Sequence, residues 1–154
     1  MAGRCARGPI CLCRVGLRSL FLTVCLGLAG CGGRYSPPVQ PDVQGRLSKL
    51  FNLYRVYIEK NRKGPPSEEA LREFGQKLSA EERESRLIGS DIENLFTSPR
   101  DNKKFVVRYN FNLDAGGPKA VAWEAEGKGG RRFVALTRGN VEEYDEESFK
   151  EYTK

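Results

Sequence analysis

Histidine is absent from all 154 residues of this chain. That absence removes the commonest general base near neutral pH and the commonest transition-metal ligand. Cysteine is scarce in a particular way. Cys5, Cys11, Cys13, Cys25 and Cys31 are all there are, so no thiol follows position 31. Residues 32–154 thus have no disulfide, no Cys/His or Ser/His/Asp nucleophile and no zinc site of His/Cys type. Long apolar runs are missing too. A membrane-spanning helix needs about 20 apolar residues, whereas the stretch Leu20–Leu28 is bounded by Arg18 and by Gly30-Cys31-Gly32-Gly33-Arg34.

What the N-terminus does contain is ordered. Arg4, Arg7, Arg14 and Arg18 come first, with no carboxylate among them, then Leu20-Phe21-Leu22-Thr23-Val24-Cys25-Leu26-Gly27-Leu28, then the small residues Ala29 and Gly30. Basic, apolar and small segments in that order form a secretory signal. The tetrapeptide Leu28-Ala29-Gly30-Cys31 resembles the lipobox of bacterial lipoproteins, in which the peptide is cut before the cysteine and its thiol receives a diacylglycerol. The resemblance implies a signal peptide over 1–30, a lipid on Cys31, and anchoring in the cell membrane or outer membrane. Gly32 at the next position resembles outer-membrane sorting in enteric-type bacteria. A prepilin leader does not fit, because its cleavage glycine would precede the apolar stretch.

Removing the leader changes the composition. The whole chain has 26 Lys+Arg against 20 Asp+Glu, and four of the arginines precede Cys31, leaving 22 against 20. The sequence pI of about 9.2 is therefore largely the leader's, and the case for nucleic acid as a partner goes with it. The Cys11-Leu12-Cys13 pair has a spacing that invites a metal, but within a leader it is incidental.

Residues 31–41 form a lipid anchor and a Gly/Pro-rich tether, and 42–154 is the size of one small domain. Asp42 is a helix N-cap, followed at helical spacing by Val43, Leu47, Leu50, Phe51, Tyr54 and Ile58. Asn61-Arg62-Lys63-Gly64-Pro65-Pro66 stops that helix. Ser67 caps a second helix bearing Leu71, Phe74 and Leu78, and Glu81–Arg86 reads as a solvated helical turn or loop. Ser90-Asp91-Ile92-Glu93 fits a capping box ahead of a short turn with Leu95 and Phe96.

After the turn Ser98-Pro99-Arg100-Asp101-Asn102 the period becomes two. Phe105, Val107, Tyr109 and Phe111 alternate with Val106, Arg108 and Asn110, the pattern of a half-buried strand. Further strands are expected over 120–124, 132–136 and 141–144, and Asp145 caps a closing helix with Phe149 and Tyr152 inward. Short connections favour an antiparallel meander. The expected class is α+β, with N-terminal helices packed on a small antiparallel sheet of three to four strands and a short C-terminal helix.

This order, with a long helix, a second helix after Gly64-Pro65-Pro66, the Ser98-Pro99-Arg100-Asp101 turn and a meander, resembles a group of uncharacterised lipoproteins of planctomycete type. The stretch Arg132-Phe133-Val134-Ala135-Leu136-Thr137-Arg138-Gly139-Asn140-Val141 resembles the last hairpin of pseudopilin-like domains. Neither resemblance implies a catalytic residue.

Carboxylates remain the one source of chemistry. Glu142, Glu143, Asp145, Glu146 and Glu147 are close in sequence and could bind Ca²⁺ or serve glycoside hydrolysis. They also read as a strand edge leading into an acidic helix start, where the macrodipole favours carboxylates. Gly127-Lys128-Gly129-Gly130-Arg131-Arg132 lacks P-loop spacing and reads as a flexible hairpin tip. Arg100-Asp101-Asn102-Lys103-Lys104 reads as a solvated turn, and Trp123 as core. The expectation is a non-enzymatic envelope module without cofactor or metal. It would be held to the membrane through Cys31 and dock an envelope protein by a sheet face, the hairpin tip or the first helix. The alternative is a carboxylate-dependent envelope glycan hydrolase.

Overall fold

The structure is a computed structural model, and it describes residues 42–154 apart from position 115. The expected signal peptide over 1–30, Cys31 and the tether over 31–41 lie outside the described residues.

Helix α1 (Val43–Asn61) starts where Asp42 Oδ1 accepts from the Gly45 N–H at 2.7 Å. It ends where Arg62 turns left-handed, with φ 60°. Its buried face comprises Val43, Leu47, Leu50, Phe51, Leu53, Tyr54, Val56 and Tyr57. Leu53, Val56 and Tyr57 widen the expected stripe because α1 packs against both the sheet and helix α2 (Glu68–Lys77). Ser67 caps α2 at the Ala70 N–H, and Phe74 of α2 meets Tyr57 edge-on at 5.0 Å. Helix α3 (Ala80–Ser85) has a Ser79/Glu82 capping box and buries nothing.

The capping box expected over Ser90–Glu93 does not form. Asp91 Oδ1 accepts from the Asn94 N–H at 3.2 Å instead. The Glu93 carboxylate is drawn away to Arg72 and to Gln76 Nε2, the latter at 2.6 Å. A charged donor on α2 outcompetes the local amide. Glu93–Phe96 makes one 3-10 turn that buries Leu95 and Phe96.

Four strands follow in a meander: β1 (Val106–Val107), β2 (Ala120–Trp123), β3 (Arg131–Leu136) and β4 (Val141–Asp145). They pair antiparallel in sequence order, with Val107 opposite Ala122, Trp123 opposite Val134, and Phe133 opposite Glu143. The α+β class is as expected, but the first strand is far shorter than the span 105–111. Its alternation holds only for Phe105, Val106 and Val107. Beyond that, Tyr54 captures the backbone. Its hydroxyl lies 2.8 Å from the Arg108 carbonyl and 2.9 Å from the Phe111 carbonyl, and the Asn110 N–H donates to Pro65 O. Gly64 is needed there, since a Cβ would come within 2.4 Å of Phe111 O.

Both sheet faces are covered. Val121, Ala122 and Ala135 join the core under α1 and α2. Ala120, Val134 and Leu136 lie on the other side, beneath Phe149 of the closing helix α4 (Glu146–Thr153). A bulge between Ala120 and Ala122 places Val121 and Ala122 in the same core. Asp145 caps α4 at the Ser148 N–H, 2.8 Å away.

Candidate functional site

The acidic run does not converge on one point. Glu142 accepts from Asn140 Nδ2 at 3.0 Å and from the Tyr144 hydroxyl at 2.9 Å. Glu143 accepts from Arg100 Nη1 at 2.7 Å and Arg131 Nε at 3.3 Å, Asp145 caps α4, and Glu146 accepts from Arg132 Nη2 at 2.6 Å. The arrangements at Glu142, Glu143 and Asp145 favour the ionised form. The Asn140 and Tyr144 hydrogen bonds hold Glu142 below the usual carboxylate range, Arg100 does the same for Glu143, and the Ser148 amide does so for Asp145. A glycosidase needs one carboxyl held protonated by its surroundings, the opposite of what these neighbours do. Among the described residues no group of three or more acidic, His or Cys side chains could hold a metal ion.

Arg100 departs most from its sequence reading. The turn after the 3-10 segment closes through Ser98 N–H to Lys103 O and Asn102 N–H to Ser98 O. It carries the Arg100 side chain inward, to 9% exposure, rather than into solvent. There it meets Glu124, whose side chain has no exposed surface. Arg100 Nε donates to Glu124 Oε1 at 3.1 Å, and Nη2 donates to Oε2 and to the Arg131 carbonyl. Ser98 Oγ donates to Glu124 Oε1 at 2.9 Å, and the Phe133 N–H donates to Oε2 at 2.9 Å. The guanidinium also covers the Phe133 ring, 4.9 Å from its centroid. Its donors are so largely consumed that the group pins a turn to β2, β3 and β4 and has little left to offer an anion.

The hairpin tip behaves as expected. Gly127 has φ 71°, and a Cβ there would meet Arg131 O at 2.1 Å, so the turn needs glycine; Gly129 and Gly130 face open space. Arg131 and Arg132 point to Glu143 and Glu146, not to a shared anion position. Trp123 is half-buried and packs on Phe149 at 5.7 Å. The free edge at β4 is partly closed, because the Val141 and Glu143 carbonyls accept from Gln44 Nε2 and Arg131 Nη2.

Sequence reasoning missed a cleft of about 300 Å³ beside the first turns of α1. Asp42, Arg46 and Lys49 form one wall, and Gly89, Ser90, Asp91 and Asn94 face them. Asp42 and Asp91 spend oxygens as caps, and Arg46 Nη1 donates to the Asn94 and Thr97 carbonyls at 3.2 and 3.0 Å. Asn94 is the main reason that Asp91 lies below its ordinary range. A second cavity of about 280 Å³ shares the Gly89–Ser90 wall and is lined also by Ala80, Arg83 and Glu84.

Leu87 comes just before Ile88 and Gly89 of these linings in the chain. Helix α3 ends in a Schellman arrangement, with Ile88 N–H donating to Arg83 O and Leu87 N–H to Glu84 O. The left-handed position of that motif is usually glycine's. Here it is Leu87, with φ 56° and 73% of its surface exposed. An L-residue in that conformation costs about 1–2 kcal/mol. The sequence signal was a leucine between the charged run Glu81–Arg86 and Ile88-Gly89. No protein-family model matches the chain, and neither a curated protein nor a solved structure does.

Proposed function

We propose that this chain is a cell-envelope lipoprotein, anchored through a lipid on Cys31, whose folded part is a non-catalytic docking module. The observation that carries the reading is the run Leu28-Ala29-Gly30-Cys31 behind a basic and apolar leader. The arrangement of the charged groups supports the non-catalytic part. Glu124, Glu143, Glu146, Arg100, Arg131 and Arg132 hold one another in place.

Two of the surfaces expected to dock a partner are used internally. Helix α1 buries its apolar face in the core, and the sheet faces lie under α1 and α4. The hairpin tip at Lys128–Gly130 remains open and is the docking surface in this reading. A photo-crosslinker placed at Lys128 in membranes should capture one defined envelope protein that the same probe at Glu151 does not. Identical capture at both positions, or none above an unrelated lipoprotein, contradicts the docking role.

A further inference from the structure

We infer that Glu142, Tyr144 and Tyr152 form a docking site for an arginine side chain of a polypeptide partner. The inference rests neither on docking at the Lys128 tip nor on a lipid at Cys31.

The geometry comes from one face of the sheet. Glu142 stands opposite Val134, which lies beneath Phe149, so Glu142 and Tyr144, two apart on β4, share the α4 face. The Tyr144 hydroxyl donates to Glu142 at 2.9 Å, and the Tyr144 and Tyr152 rings lie 4.7 Å apart, inclined by 45°. Helix α4 supplies Tyr152 but does not cover the rest of β4. It finishes beside β1 and β2, where Arg108 Nη2 donates to Thr153 O and Lys119 Nζ to Lys154 O. Both tyrosines stay half-buried, and Glu142 is exposed.

What this corner lacks is a cation. Among the described residues, five phenylalanines each have a lysine or arginine over the ring, and neither tyrosine does. Glu124, Glu143 and Glu146 each pair with arginine, whereas Glu142 forms no ion pair with any described residue. Its hydrogen-bond partners, Asn140 and Tyr144, are neutral, and they hold it in the ionised form. Arg132 shares the face, but it is bound to Glu146 and covers Phe149, 4.5 Å from the ring centroid. The corner is thus a standing negative charge beside two electron-rich rings.

A guanidinium completes it. Each Glu142 oxygen accepts one hydrogen bond and keeps a lone pair, which suits the paired donors of an arginine. A guanidinium also stacks on an aromatic face, as a compact ammonium does not. The fold uses the same arrangement internally. Arg132 lies between Glu146 and Phe149, and Arg100 between Glu124 and Phe133. At Tyr144 the carboxylate and the rings are in place, and the arginine is left to a partner.

The test uses the full chain, isolated from cells in detergent with isotope-labelled tyrosine rings, and the capped peptide Gly-Arg-Gly as probe. Magnetic resonance should show weak, saturable shifts of the Tyr144 and Tyr152 rings, with Tyr54 and Tyr109 unmoved as controls for the fold. Citrulline in place of the arginine keeps the shape without the charge and should abolish the shifts. Lysine should bind more weakly than arginine. Glu142→Gln keeps an oxygen acceptor at an exposed position and should weaken binding about fivefold. No shift with the arginine peptide, or equal shifts with citrulline or in Glu142→Gln, overturns the site. Equal binding of lysine overturns its preference for a guanidinium. Movement of the same rings by chitobiose but not by the arginine peptide makes the face a sugar platform. Dependence of the ring signals on protein concentration alone makes it a contact between copies. Either of these two results overturns the inference.

Discussion

Arg100 engages both carboxylate oxygens of Glu124, a residue with no exposed surface, across 24 positions of sequence. Breaking the pair from one side leaves a buried charge without its counter-ion, a change that typically costs about 3–5 kcal/mol. Arg100→Met is therefore expected to lower stability by about that amount in urea unfolding. Joint replacement, Arg100→Met with Glu124→Leu, should recover most of the loss, since a packed apolar pair is often as stable as a buried ion pair. Additive losses in the double variant would show that the two groups are not coupled.

Leu87→Gly should move stability the other way. The left-handed backbone at Leu87 suits glycine, and the exposed side chain gives up little packing. After allowance for the greater freedom of glycine in the unfolded chain, a gain of about 0.5–1 kcal/mol is expected. A loss of stability would mean that the Leu87 side chain packs within the fold.

Tyr54 should be sensitive to loss of its hydroxyl alone. Tyr54→Phe keeps the ring but strips a donor from the Arg108 and Phe111 carbonyls. The expected cost is about 1–2 kcal/mol, with amide exchange accelerated over residues 108–111. Burial pushes the Tyr54 phenol up to about 12. Its contribution is thus complete below about pH 10 and is lost as pH rises through that raised value.

Without histidine, no side chain has an ordinary pKa between about pH 5 and 8. The carboxyls of Glu143 and Asp145 lie below their ordinary range, through Arg100 and the Ser148 amide respectively. Groups shifted down stabilise the fold above the unfolded-state value and lose that effect as pH falls through the folded one. The urea midpoint should therefore be level from about pH 6 to 8 and fall below about pH 4. A slope within the neutral range would contradict this assignment of charges.

The parts of the fold legible in the sequence are those set by near neighbours. Asp42, Ser67 and Asp145 each cap a helix through an amide three residues on, so the cap and the apolar spacing behind it sit in one window. The hairpin of β3 and β4 was legible for the same reason, since only residues 137–140 connect its strands. Strand β1 was overread because its second half is taken by Tyr54, Gly64 and Pro65, more than 40 residues earlier. Arg100 looked solvated because its partner closes the end of another strand, and no local pattern marks Glu124 as buried. The cleft arises from how α1 meets the 88–95 segment, a contact that periodicity does not encode.

The central claim is the lipid on Cys31, and metabolic labelling with a tagged fatty acid tests it most directly. The account predicts that the mature chain carries the label at an N-terminal Cys31 and that Cys31→Ala abolishes both labelling and cleavage. A wild-type chain that is processed and exported without label at Cys31 would contradict it.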